Sequence, residues 1–245
     1  KNIRWPGLAA VDVTLLSLYQ GIWERPKFIK NKVAINITTL LDDDLTEFNP
    51  YHLVSNENKS FQGSIIFGDG FLLTNNEASS LINDNSKYSR VLFPYLIGDD
   101  INNSFQQANS RSVINFFDWT KEKCSLEFGD LLHILEEKVK PERDKVKRKA
   151  YREKWWLYAE KGINLYKAIK NYEKVLVISQ TTKYLGFSFV QTNQVFAGTC
   201  IVFAFPKYKE YCVLQSSFHE SWVWKFPTTM GSSTLRYVNS KCFET

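Results

Sequence analysis

KVKPERDKVKRKAYREKWW, residues 138–156, is the stretch on which the reading of this chain turns. Residues 138–154 hold nine Lys or Arg against three Asp or Glu, a surplus of six, whereas the net charge of all 245 residues is +5. Everything outside the run is therefore close to neutral. A surplus confined to one segment marks a polyanion contact, because each phosphate a protein neutralises releases condensed counterions. Pro141 suits the first turn of a helix, where its missing N–H would be unpaired in any case, and Glu142 and Asp144 suit the helix dipole. Gly162 suits the other end. The spacing thus predicts one long basic helix of about 31 Å at ~1.5 Å per residue, with Val146, Ala150 and Leu157 on one side and Tyr151, Trp155 and Tyr158 opposite. Its bland reading is a solvated charged helix; the second, aromatic stripe favours contact with phosphate, through Lys145, Lys147, Arg148, Lys149 and Arg152.

On either side of this run the periodicity is mostly that of strands. Residues 10–19 form an apolar run, and 28–29 and 33–37 flank a Lys30-Asn31-Lys32 turn. Residues 42–59 are polar and read as a loop or seam. Thr74 and Glu77 make a T-x-x-E capping box opening a short helix, and a division into 1–73 and 74–245 is placed there. Strands are expected at 112–117, 174–178, 185–190, 195–204 and 211–214, and helices at 130–139 and 218–226. Together these give an α+β fold of mixed and antiparallel strands around a central long basic helix.

The chemistry-bearing patterns are few. Phe67-Gly68-Asp69-Gly70 imitates a cofactor-binding glycine turn, but it leads into the strand-like Phe71-Leu72-Leu73 rather than a helix, so a hairpin turn is the better reading. Asn49-Pro50-Tyr51 lacks the second proline of an amine-binding tetrapeptide. The four cysteines are scattered and only three histidines exist, so neither a zinc site nor a disulfide framework is expected. No catalytic set can be assembled and no metal site is expected. Apolar runs stop well short of a bilayer span, so a soluble, cytoplasmic protein with no membrane partner is expected. Two polar segments, 179–183 (SQTTK) and 231–236 (GSSTLR), carry the residue types that reach base edges: Gln180, Thr182 and Lys183 in the first, Ser232, Ser233, Thr234 and Arg236 in the second. The only methionine is Met230, so the chain reads as a fragment of a longer polypeptide.

Six stretches in order, 60–64 (SFQGS) with 68–71 (GDGF), 91–96 (VLFPYL), 113–119 (VINFFDW), 139–156, 214–222 (LQSSFHESW) and 235–245 (LRYVNSKCFET), resemble MmeI-type restriction-modification proteins of bacteria. The likeness is to the end of their γ-class adenine-N6 DNA methyltransferase region and the target recognition domain that follows. It implies a double-stranded DNA partner and an upstream methyltransferase domain in the same polypeptide. That domain would bind S-adenosylmethionine, and magnesium would serve any nuclease domain. It implies no cofactor in this stretch, whose family motifs for methyl transfer have no counterpart here. The fragment alone is expected to be inactive. The resemblance also implies base readers in the loop before Arg236-Tyr237 and, for Trp5, packing on a flipped base. Two alternatives stay open: that residues 1–74 retain methyl-transfer function and bind the cofactor, and that the basic run docks on another domain without DNA.

Overall fold

The computed structural model describes residues 3–8, 12–38, 41, 43, 50–226, 228–230 and 233–245. In chain order the elements are β1 (Ile3–Arg4), β2 (Asp12–Val13), β3 (Lys27–Ile29), β4 (Lys32–Ala34), β5 (Ser60–Gln62), β6 (Leu72–Leu73), α1 (Asn75–Asp84), β7 (Leu92–Leu96), α2 (Gly98–Asn103), β8 (Arg111–Ile114), α3 (Lys121–Lys138), α4 (Lys140–Asp144), α5 (Lys149–Glu153) and α6 (Ile163–Ile169). There follow β9 (Lys174–Ser179), β10 (Thr181–Thr182), β11 (Ser188–Gln191), β12 (Val195–Phe196), β13 (Cys200–Phe203), α7 (Tyr208–Leu214), α8 (Ser217–Lys225), β14 (Thr228–Met230), β15 (Thr234–Arg236) and α9 (Asn239–Cys242). The class is α+β, as the periodicity predicts.

Two four-stranded sheets make the body. One runs β11-β9-β13-β5, antiparallel throughout; the other runs β12-β7-β8-β6, with β12 and β7 parallel. They meet where the expected 195–204 strand breaks into β12 and β13 at residues 197–199. Beyond β5 the chain crosses the same corner, and Ser64 pairs with Ala197. Gly63 makes the crossing possible, because a Cβ there would lie 2.1 Å from the Ala197 carbonyl oxygen. β9 is buried on both faces, which is why it reads as a continuous apolar run. Val175 and Val177 join Cys200 and Val202 in the larger core, with Phe71, Phe116, Phe128, Leu131 and Tyr158. Leu176 and Ile178 join Ile201 and Phe203 in a second core closed by α7, α8 and Tyr237. β5 and β6 pair with β13 and β8, so strands on both sides of the expected 73/74 division form the same two sheets.

Local chemistry explains several elements directly. Lys30 (φ 50°) and Asn31 (φ 64°) are both left-handed, the backbone of a two-residue hairpin turn matching strand twist. Thr74 and Glu77 form the reciprocal capping box, with bonds of 2.7 and 3.2 Å.

Other expectations are corrected. The long basic helix does not exist. α4 ends at Asp144 and α5 starts at Lys149, because Lys145/Lys149 and Arg148/Arg152 would set like charges one turn apart and because Arg143 turns inward to bind the core. α3 starts nine residues before the expected position and kinks at Phe128 (φ −141°, ψ 46°). Residues 211–214 are helical; Tyr211 and Leu214 face inward while Cys212 and Val213 are exposed, a spacing of three rather than two. Residues 67–70 are no hairpin: a single tight turn at Asp69–Phe71 carries the chain from one sheet to the other. Of the run expected at 10–19, only Asp12–Val13 is strand among the described residues. Asn49 lies outside the described residues.

Candidate nucleic-acid interface

Arg143 fixes the basic run. Fully buried, its guanidinium donates to the carbonyls of Ile66 (2.6 Å), Phe67 (2.8 Å) and Leu157 (3.1 Å) and lies over the rings of Phe67, Phe71 and Tyr151. No carboxylate neutralises it in these contacts; burial lowers its pKa, and carbonyl dipoles and ring faces hold the charge. The anchor presents residues 145–154 to solvent. Lys145 and Lys147 are exposed and make no ion pair among the described residues. Arg148 reaches Glu160 at 3.0 Å and the Tyr151 hydroxyl at 2.6 Å. The Tyr151 hydroxyl, and then Arg148, hold the Glu160 carboxyl below its ordinary range. Lys149 pairs with Glu153 at 3.5 Å. Arg152 is half-buried and donates to the carbonyls of Val146 and Lys147, closing the turn between α4 and α5.

The expected base-reading segments come together. Thr181 in β10 pairs with Arg236 in β15 and Thr182 with Leu235, so SQTTK and the end of GSSTLR are neighbouring strands of a three-stranded sheet. Lys183, Ser233 and Arg236 are exposed, and Gln180 and Thr234 are half-buried. Thr182 is buried, its hydroxyl donating to the Tyr184 carbonyl at 2.8 Å. Ser232 lies outside the described residues. Trp5 is half exposed near β1 and does not line the cleft described next.

A cleft of roughly 490 Å³ lies beside the second group, with Gln62, Phe67, Asp99, Ser179, Thr181 and Thr199 among its lining residues. Phe67 has its ring centroid 6.2 Å from that of Tyr151 in the basic run. Thr181, also in the lining, belongs to β10. The floor is close-packed: a Cβ on Gly98 would lie 2.5 Å from Ser179 Oγ, and the Gly98 amide donates to Thr199 Oγ1 at 2.9 Å. Asn102 donates to Ser179 Oγ (3.2 Å) and to the Thr181 carbonyl (3.0 Å), tying α2 to β10. Gln62 uses one amide proton on the Gly198 carbonyl at 2.6 Å. Its remaining polar atoms and the exposed Asp99 carboxylate offer a donor and acceptors beside one another. Sequence reasoning missed Gln62, Asp99 and Thr199 as site residues. The first lies inside the SFQGS stretch that carries the resemblance; the other two had no local signal, since the cleft gathers four distant segments.

No group of three or more His, Cys, Asp or Glu fit to hold a metal occurs among the described residues, and no helix there is long and apolar enough to cross a membrane. Cys200, buried, has its thiol pushed up to about 12 by burial, and it serves as core.

No protein-family model matches the chain, and no curated protein matches it in sequence. Among solved structures, however, the fold has a counterpart in a restriction-modification enzyme. That enzyme is the type IIL restriction-modification enzyme MmeI, solved in complex with DNA, to which this chain is similar with a TM-score of 0.65 and 17% sequence identity over 87% of its own length. The match covers 28% of the MmeI chain, so this chain spans a little over a quarter of that enzyme. At that identity the two share a fold.

Proposed function

We propose that this chain is the sequence-recognition part of a restriction-modification enzyme, gripping double-stranded DNA with its basic run and reading base edges from the cleft and the strand beside it. The observation that carries the reading is the cleft itself, which is lined by Thr181 of the paired polar strands and by Phe67, whose ring lies near Tyr151 of the cationic segment. Lys145, Lys147, Arg148 and Lys149 contact phosphates, which fix register; Gln62, Asp99, Thr181, Lys183, Ser233 and Arg236 face the bases, which carry the sequence information. The structural likeness to a DNA-bound enzyme supports the same partner.

The reaction directed by this module is methylation of adenine N6 by a methyltransferase domain of the same polypeptide that binds S-adenosylmethionine. A base must leave the stack for that chemistry, and choosing which base requires readout of its neighbours. Residues 3–35 support a further domain on this side. Leu8, Leu15, Leu18, Ile22 and Ile35 are all largely exposed, more apolar surface than a lone domain ordinarily leaves in water.

The test is binding to a random duplex pool at two salt concentrations, with the bound fraction sequenced. Enrichment of one short motif with a steep fall of affinity in salt is the expected result. Absence of binding, or binding indifferent to salt, overturns the reading.

A further inference from the structure

Phe105 stands almost wholly in solvent, 97% exposed, on the loop between α2 and β8. A bare ring on a mobile loop would mean little, but this loop is tied to itself at every turn. The Ser104 amide donates to the Asp100 carbonyl at 3.1 Å, and the Gln107 amide to the Ser104 carbonyl at 3.1 Å. Gln107 Nε2 donates to the carbonyls of Ser104 (3.1 Å) and Phe105 (3.0 Å), and the Ala108 amide to Ser104 Oγ at 3.2 Å. Gln107 holds a left-handed φ of 48°. The far side is pinned by Asn75 Nδ2 to the Asn109 carbonyl (2.9 Å) and by Asn109 Nδ2 to Gln194 Oε1 (2.7 Å). The backbone that carries the ring is thus fixed before any partner arrives, so little loop-ordering entropy remains to be lost on contact.

Its neighbourhood decides between partners. Along the chain its exposed neighbours are the amides Asn102, Asn103 and Gln106, so this loop offers a single apolar ring among polar groups rather than an apolar run of the kind that docks protein. The recognition strand is close: Asn102, three residues before Phe105, bonds the Thr181 carbonyl, and α2, which begins at the cleft with Gly98, is only about 9 Å long at ~1.5 Å per residue. An apolar side chain carried into solvent by a fixed loop beside a DNA-reading strand is the arrangement that unstacks a base step.

We propose that Phe105 enters the base stack of the bound duplex, prying one step open next to the bases read in the cleft, with Asn102, Asn103 and Gln106 contacting the edges exposed by the opening. The proposal rests on the DNA reading above. Unstacking has a free-energy penalty of a few kcal/mol per step, and filling the gap with a ring offsets it. The opened step is where a base is most readily turned out for modification.

The test uses the full chain and the most enriched duplex from the pool, or a random duplex if none is enriched, with 2-aminopurine placed at successive positions. Wild type is expected to raise the fluorescence at one step and leave the others unchanged. Phe105→Ala should lose that rise and bind about tenfold more weakly, the equivalent of 1.4 kcal/mol, while melting at the wild-type temperature; Phe105→Trp should keep the rise. Tight duplex binding by wild type with no step brightened, or a rise undiminished in Phe105→Ala, overturns the wedge and leaves the DNA reading standing. No duplex binding by wild type overturns both.

Discussion

The two halves of the basic run share a composition and have opposite fates. In residues 138–144 the chain turns its strongest cation inward, and Arg143 ends with no exposed surface and three carbonyl acceptors. In residues 145–149, Lys145, Lys147, Arg148 and Lys149 all remain exposed. The difference lies in what each half meets. At Arg143 the chain approaches the crossing between the two sheets, where the Ile66 and Phe67 carbonyls have left β5 and not yet reached β6. A planar fork of donors satisfies such a place as a lysine ammonium cannot. Beyond Asp144 the cations meet only the surface: Arg148 and Lys149 pair with the exposed Glu160 and Glu153, and Arg152 donates to the carbonyls of its own turn.

The largest expected effect follows from removing the inward half. Arg143→Met keeps the volume and leaves three carbonyls without their donor, at about 1 kcal/mol or more for each buried group unpaired, so a loss of about 3 kcal/mol is expected in urea unfolding. Lys147→Ala should change stability by less than about 0.5 kcal/mol. Equal effects of the two substitutions would abolish the contrast.

The second core offers the same contrast between an inward base and outward ones. His219, whose ring nitrogen lies 3.0 Å from the Tyr237 hydroxyl, is held neutral by burial, its pKa lowered from 6.5 to about 4, whereas His52 and His133 are exposed. The unfolded chain takes up the proton first as pH falls. The neutral form's contribution is therefore complete above pH 6.5 and is lost progressively between there and pH 4. The full shift corresponds to at most about 3 kcal/mol at 1.36 kcal/mol per unit. His219→Gln keeps a partner for Tyr237 and cannot titrate, so its melting temperature should fall less than that of wild type between pH 7 and 4. Parallel curves would mean that His219 is solvated.

These contrasts mark how far residues alone could lead. The α+β class, the capping box at Thr74 and Glu77, the Lys30-Asn31 turn and the strand at 174–178 were readable, because each depends on contacts within a few residues or on a periodicity. The broken basic run was not, since two of the carbonyls that draw Arg143 inward, those of Phe67 and Ile66, lie 76 and 77 residues away in sequence. The charge surplus located the segment and misjudged its geometry. Likewise SQTTK and GSSTLR each read as a polar loop; only the pairing of Thr181 with Arg236 makes them one surface. Asp99 and Thr199 entered the cleft through tertiary packing around Gly98, for which no local pattern exists.

The smallest effect tests the outward half most closely. Arg148 is exposed yet already engaged, 3.0 Å from Glu160, whereas Lys147 makes no ion pair among the described residues. A phosphate bound by Arg148 must therefore displace or share it with a carboxylate, and an exposed ion pair is typically worth no more than about 1 kcal/mol. Replacing Lys147 and Arg148 together with alanine should weaken binding to all duplexes alike and reduce the slope of log affinity against log salt by about one to two. Glu160→Gln should act in the opposite direction, tightening binding about threefold at low salt, an effect within the worth of such a pair, with the preferred motif unchanged. The choice of glutamine matters, since it still accepts the Tyr151 hydroxyl and leaves Arg148 oriented. Weaker binding by Glu160→Gln would mean that the carboxylate organises Arg148 rather than competing for it, which would move Arg148 from the gripping half of the run to the half that, like Arg143, holds the fold.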